Sequence, residues 1–396
     1  MSMKGMKRRL ASLLLAALTV LAGCVPKAAL AVSDADVDTI FRKRKTVGGM
    51  VLAAKDGEIV YSRCFGYADK RSEEEVTPET FFKLASVSKL VTAAAAMRLV
   101  DGGRLDLDEN LGHILGNPPY EAATPRYPET GLTCRMLMSH TAAIRDDSTV
   151  FQKNMKLSQV LDPAQNKKKM GFWKARPGEA YNYSNIGAGI MGCVIEAVTG
   201  KRLTVAVKEL LFDPLGIEAA YDPSLLTHPE RIVTTYKANG NPHITRSYRL
   251  KQPYRAEPDP ERDYKDSYGG LWIRGEDLCK IGIMLCGLGE YAGKRILSED
   301  AVREMLSSQR GKGNITADSP YGLNVERVQN LLEGKMIYGH QGLANGVLCS
   351  LYFDPETRFV FALVTNGCNV NAKQDRICRL SRDLFGLLWD EYAGDL

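Results

Sequence analysis

The chain has 396 residues, 44% of them hydrophobic and 25% charged, with a formal net charge of +5 at pH 7. That balance belongs to a globular protein and excludes a disordered or fibrous one. No segment repeats at a fixed period, which excludes a solenoid or a propeller.

The first element in chain order is a targeting segment. Lys4, Lys7, Arg8 and Arg9 form a basic stretch before an apolar run from Leu10 to Ala22, a run too short to span a bilayer. It ends in Leu21-Ala22-Gly23-Cys24, which resembles the lipobox of bacterial lipoprotein signal peptides. The resemblance implies a signal peptide over residues 1–23, a diacylglyceryl group on Cys24 and a tether over 24–34. The protein would then be an exported lipoprotein on the extracytoplasmic side of a cell membrane. An ordinary signal peptide with Cys24 near its cleavage site is the alternative.

Removing that segment takes away four basic residues and no acidic one, leaving a net charge of about +1 from the original +5. The basic isoelectric point therefore says nothing about partners. Lys167-Lys168-Lys169 and the stretch from Arg246 to Arg255 read as solvated loop surface, and no nucleic-acid-binding module accompanies them. No nucleic-acid partner is expected.

From Val47 the chain reads as two strands, Gly49–Ala54 and Glu58–Phe65, joined at Asp56-Gly57, a strong hairpin signal. An Ala- and Leu-rich helix follows from Ser86 to Val100, stopped by Gly102-Gly103. From about Leu105 to Arg262 the texture changes to helical patterns, such as Gly187–Thr199 and Leu203–Leu211, between polar, proline-bearing loops. Lys237–Asp266 reads as a long surface loop near the site. Helices are expected at Gly275–Leu288 and Ser298–Leu306, strands at Lys335–Tyr338, Val347–Phe353 and Phe359–Thr365, and a last helix from Ala372 to about Tyr392. Strands at both chain ends with helices between them predict an α/β (α+β) fold: one antiparallel sheet built from the two termini, flanked by helices, plus a mostly helical lobe. The catalytic domain would span 35–392, with an α/β lobe at about 35–104 and 267–392 and a helical lobe at about 105–266. The site would lie in the cleft between them.

Three motifs carry chemistry. Ser86-Val87-Ser88-Lys89 is the chain's one Ser-x-x-Lys. Three residues are close to one helical turn, so Ser86 and Lys89 share a face at a helix N-terminus. A serine hydroxyl needs a base, and a buried lysine can supply one; an N-cap serine beside a solvated lysine is the plainer reading. Tyr183-Ser184-Asn185 follows the turn at Pro177-Gly178-Glu179. A phenol near an amine can act as base and then acid, and an amide can orient the amine and a substrate carbonyl. The third motif is Tyr338-Gly339-His340-Gln341-Gly342. Gly342 lets substrate approach the strand edge, and the N–H of Leu343, with that of Ser86, could form an oxyanion hole. A lone histidine such as His340 is otherwise a core residue.

The order and placement of these motifs resemble the serine β-lactamase and penicillin-binding superfamily, especially its class C branch, which includes D,D-peptidases, carboxylesterases and acyltransferases. The similarity runs from about Thr39 to Leu388. It includes Phe81–Lys89, Leu105–Asp108, Met138–Thr141, Pro177–Gly192, Gly269–Leu271 and Thr365–Gly367. The resemblance implies an acyl-enzyme on Ser86, proton handling by Lys89 and Tyr183, substrate positioning by Asn185, and His340 with Gly342 at the Lys-Thr-Gly position. The substrate would be a small-molecule or peptide amide or ester: a D-amino-acid peptide, an ester or a β-lactam-like compound. Acyl transfer, or a lipoprotein that binds penicillin or cell-wall peptide without turnover, are the alternatives. His340-Gln341 in place of Lys-Thr removes a fixed cation and a hydroxyl, so efficient penicillin hydrolysis is not expected.

There is no Gly-x-Ser-x-Gly elbow and no HExxH, which argues against an α/β-hydrolase and a metallohydrolase. Apart from Cys24, the eight cysteines show no CxxC spacing, read mostly as buried thiols, and imply no zinc. No metal or cofactor is expected. Specificity would come from Asn117–Leu132, Ala143–Lys174 and Lys237–Asp266.

Overall fold

The computed structural model describes residues 32–168, 171–252, 254–309, 321–370, 373–374 and 376–394. The signal segment and Cys24 lie outside the described residues. A helix, α1 (Asp34–Lys43), leads into β1 (Gly48–Lys55) and β2 (Glu58–Asp69). Asp56 and Gly57 between them have φ of 52° and 92°, the doubly left-handed turn that suits the twist of a hairpin. Met50 lies opposite Cys64 and Val51 opposite Arg63.

The chain returns to this sheet through β3 (Glu326–Val328), β4 (Ile337–Ala344), β5 (Val347–Asp354) and β6 (Phe359–Thr365). The order is β3-β4-β5-β6-β1-β2, with the short strand Glu74–Glu75 at the far edge. All pairings are antiparallel, and Gly49 faces Thr365 across the β1–β6 seam. The two ends of the chain thus make one sheet, as the strand pattern implied.

Between the two halves come α2 (Val87–Asp101), α3 (Asn185–Thr199) and α4 (Gly275–Cys286), and α5 (Arg379–Tyr392) closes the chain. Strand alternation assigns a face to each helix. Val360 and Leu351 meet Gly282 of α4, where an added Cβ would lie only 2.5 and 2.7 Å from them. Phe359 and Phe361, of the opposite parity to Val360, pack their rings on Phe385 of α5. The sheet is therefore covered on both faces, and β1, β5 and β6 are buried almost throughout. Twelve of the fifteen residues of α2 are buried, which makes it a core helix rather than an amphipathic surface one.

Three expected elements differ. β4 extends to Ala344 rather than stopping at Tyr338, because Gly339 and Gly342 hide strand propensity behind a close backbone approach. Lys237–Asp266 is not a bare loop: it holds a strand at Pro242–Ile244 and a helical turn at Arg246–Leu250. The last helix starts at Arg379. Ahead of it Gln341 takes the Cys378 N–H at 2.8 Å and gives its amide to the Arg376 carbonyl at 3.2 Å. These bonds hold 376–378 against β4 instead of letting it coil. No described helix is long and apolar enough to cross a membrane.

Candidate active site

The turn that feeds α2 is built on strain. Ala85 has φ 46°, a left-handed conformation that costs a residue with a Cβ about 1–2 kcal/mol. It delivers Ser86 to the N-cap of α2, where the serine makes no side-chain capping bond. Its hydroxyl is instead 3.0 Å from Lys89 Nζ.

Lys89 is fully enclosed, with 0% of its surface exposed. Besides Ser86 Oγ, its Nζ reaches Asn185 Oδ1 at 2.9 Å and the Tyr268 carbonyl at 2.8 Å. The ring centroids of Tyr183 and Tyr268 lie 5.0 and 5.4 Å away. Burial pushes the Lys89 pKa down to about 7, against the upward pull of Asp146 and Glu326. This nest suits both protonation states. An ammonium has three donors for the three oxygens; a neutral amine keeps two donors for Asn185 and Tyr268 and turns its lone pair to the Ser86 hydroxyl.

Asn185, the first residue of α3, is fixed from behind. Its Nδ2 donates to Asp146 Oδ2 at 2.8 Å. The other Asp146 oxygen accepts from Ser184 Oγ and the Ile186 N–H at 2.9 and 3.0 Å, as a carboxylate at a helix N-terminus should. One amide hydrogen of Asn185 is left for a substrate carbonyl.

Tyr183 precedes the N-cap Ser184, and His140 grips it from both sides. The His140 carbonyl accepts from Asn182 N–H at 2.8 Å, and its Nδ1 accepts from Ser184 N–H at 3.2 Å. The two rings lie 4.4 Å apart. A φ of 57° at His140 turns carbonyl and imidazole toward one segment. Burial, Lys89 and His340 hold this imidazole well below its usual pKa, so it is neutral. With Nδ1 accepting, the proton sits on Nε2, which has no hydrogen-bond partner among the described residues. Tyr183 keeps 37% of its surface exposed. Enclosure of its phenol raises the pKa, while a bond with Ser86 lowers it; the net direction is upward, so the phenol is protonated at rest.

β4 forms the opposite wall. A Cβ on Gly342 would lie 2.3 Å from the Leu84 carbonyl and 2.9 Å from Ser86 N, so only glycine permits this approach. β3 pairs with β4 only over Ile337–Gly339, because Asn324 (φ 53°) turns the chain away and sends its N–H to the Met138 carbonyl. Beyond Gly339 the edge of β4 has no strand partner among the described residues. The Gln341 N–H points out of that edge to Glu326, and by alternation Leu343 N–H, two residues on, points out as well. Ser86 N–H has no acceptor among the described residues. Ser86 N–H and, by alternation, Leu343 N–H are thus the two backbone donors left for an oxyanion.

His340 departs from expectation. It is 1% exposed; its Nδ1 lies 2.7 Å from the Gln341 carbonyl and its Nε2 2.7 Å from Tyr321 Oη. Burial and Lys89 push its pKa down to about 3. The ring is neutral, donating from Nδ1 and accepting at Nε2, and it is spent inside the protein rather than presented to substrate. Sequence reasoning overlooked Asp146, Tyr321 and Glu326, and quoted His140 without a role; Asp146, His140 and Tyr321 come from segments between the main elements, and Glu326 opens the short edge strand β3, none of which the sequence pattern marks.

The family described as Beta-lactamase matches residues 34–380. Esterase EstB of Burkholderia gladioli is 30% identical over 54% of this chain and 56% of its own. Penicillin-binding protein 4 of Amycolatopsis lactamdurans is 25% identical over 90% of this chain and 88% of its own. Against EstB and several other curated relatives the match spans only about half of the relative's length. Among solved structures, a beta-lactamase/D-alanine carboxypeptidase from Pseudomonas syringae superposes with a TM-score of 0.67 at 17% identity, covering 92% of this chain and 99% of that one.

Proposed function

The chain belongs to the beta-lactamase family, and from that premise we propose that it is a serine hydrolase cleaving an amide or ester through an acyl-enzyme on Ser86. The observation that carries the reading is the 3.0 Å contact between Ser86 Oγ and a fully buried Lys89 whose pKa is pushed down to about 7. A lysine so tuned is a base at neutral pH, a service that a mere binding site does not need.

In this reading Lys89 takes the Ser86 proton as Oγ attacks the carbonyl, and the N–H groups of Ser86 and Leu343 receive the oxyanion. The protonated phenol of Tyr183 gives its proton to the leaving group, and the Lys89 ammonium makes that proton good. Water then repeats the sequence in reverse on the acyl-enzyme, and an alcohol in its place would make the step an acyl transfer. Asn185 keeps Lys89 aimed and offers its remaining amide hydrogen to the substrate. Gly342 contributes space rather than a functional group.

Residues 1–23 are read as a lipoprotein signal and Cys24 as the lipid-bearing residue, placing the enzyme on the extracytoplasmic side of a membrane; the support is Leu21-Ala22-Gly23-Cys24 after the apolar run. A fluorophosphonate probe should label the native protein at Ser86 and leave Ser86→Ala unlabelled. Labelling that survives Ser86→Ala overturns the assignment. For the anchor, Cys24→Ser should move the protein from the membrane to the soluble fraction, and a wild-type protein that is already soluble in a bacterial host removes that part of the reading.

A further inference from the structure

We propose that Glu326 selects the leaving group: it excludes one that carries a carboxylate near the scissile bond and admits a neutral alcohol or amine. The substrate class is then a neutral ester or amide. The inference rests on the hydrolase reading above and adds to it which side of the substrate is discriminated, and by what.

The leaving group takes its proton from Tyr183, whose ring lies 6.5 Å from that of His340. It must therefore sit over the His340–Gln341 end of the β4 edge, while the oxyanion sits at Leu343. Backbone pairing is closed at that end. The Gln341 N–H is directed at the Glu326 carboxylate, and the Gln341 carbonyl accepts from His340 Nδ1 at 2.7 Å. The Gln341 side chain is committed to Arg376 and Cys378. A peptide leaving group has no strand slot to extend into, and His340 supplies no cation.

Glu326 is what remains at that end. Its Oε1 is 3.8 Å from His340 Nδ1 and 3.5 Å from Tyr321 Oη, and its Oε2 accepts from Tyr352 Oη at 3.2 Å. Its side chain keeps 23% of its surface exposed, and its charge is felt at both Lys89 and Tyr183. Among the described residues Glu326 has no salt bridge to a lysine or arginine, and a second carboxylate brought beside it is repelled.

The charged and titratable groups around it are few. Lys89 on α2 gains charge as pH falls through about 7. Tyr183, Tyr181, Tyr321 and Tyr352 have pKa values raised above the usual 10, and His340 stays neutral above about 3. The exposed Arg376 bears electrostatically on Tyr181, and Arg382 on the Tyr352 that bonds Glu326; besides Lys89, these are the two cations that oppose Glu326. Burial pushes the Glu326 pKa up to about 7, so its charge is full above that pH and lost below it.

The test uses two aryl esters of one acyl group, with phenol and with 3-hydroxybenzoate as leaving groups, and reads the ratio of their kcat/KM from pH 5.5 to 9. The shared acyl-enzyme and the common need for Lys89 as base cancel in the ratio. The wild-type protein should prefer the phenyl ester by about tenfold or more at pH 8. That preference should shrink below pH 6.5, where Glu326 is protonated and the benzoate is still charged. Glu326→Gln should narrow it at pH 8 and flatten the part of the pH dependence that Lys89 does not cause. The wild-type pH dependence stands as a test even if the variant misfolds. A ratio near one at every pH, or a preference for the benzoate ester that Arg376→Gln abolishes, overturns the inference while leaving the hydrolase reading intact. No turnover of either ester and no adduct on Ser86 overturns both.

Discussion

Asp146 holds Asn185 by a 2.8 Å bond to its Nδ2, and the other end of that amide accepts from Lys89 Nζ at 2.9 Å. The carboxylate never touches Ser86, yet it sets the aim of the amine that does. Replacing Asp146 with Asn should lower kcat/KM about 10- to 100-fold, the scale of a misplaced catalytic group. The charge pulls the Lys89 pKa upward, so its removal should also move the acidic limb of the pH profile to lower pH. If neither the rate nor the limb moves, Asp146 only caps α3.

The pH profile itself follows from Lys89. The base is active when neutral, so kcat/KM should climb as pH rises through about 7 and level off by pH 8–9. Lys89→Arg, which keeps the charge but cannot give up its proton in this range, should lose on the order of 10³ in kcat/KM. A flat profile from pH 5.5 to 9 would assign the base elsewhere.

Lys89 should also cost the fold stability where it is charged. Its folded pKa of about 7 lies below the unfolded value of 10.5, so the native state binds fewer protons between those limits. Wild-type stability should therefore rise with pH across that window, on the order of 1 kcal/mol per pH unit, and the full penalty is felt below pH 7. Lys89→Met removes the titration. Its stability relative to wild type should be highest at pH 6 and decline toward pH 10, read by denaturant unfolding at each pH. An unfolding difference independent of pH contradicts this account.

His140 supplies a fourth expectation. Truncation to Ala leaves the Ser184 N–H unsatisfied in a buried place, at a cost of about 1–3 kcal/mol, and frees the ring of Tyr183. The catalytic effect should fall on kcat, with KM little changed, because the imidazole grips Tyr183 rather than substrate. His140→Asn tolerates the left-handed backbone and keeps an acceptor, so it should retain more activity than His140→Ala. Equal loss in both variants, or a loss confined to KM, would show that the grip is not what matters.

How much of this was legible in the sequence depends on distance along the chain. Ser86 and Lys89 sit one helical turn apart, so periodicity alone puts them together. Asp56-Gly57 dictates its own turn, and the short continuous apolar run Phe359–Thr365 marks a strand buried on both faces. The choice between a substrate-facing and a core His340 was not legible, because a strand pattern gives parity, not partners: Tyr321, nineteen residues earlier, engages its Nε2. Glu326 was invisible for the same reason. Gln341 is likewise explained only by Arg376 and Cys378, which its side chain holds. Where a neighbour is supplied by a loop, spacing carries no information about it.

The β1–β6 seam has a consequence for how the protein is made. Gly49 pairs with Thr365, so a strand synthesised near the beginning waits for one that emerges almost at the end. Contacts of such long separation form late and slowly. During synthesis β1 and β2 can make only an isolated hairpin, which is not stable by itself. A chain in that condition stays open until its last strand is available, and deletion of the segment after Asp354 would leave β1 an open edge prone to pair with another molecule.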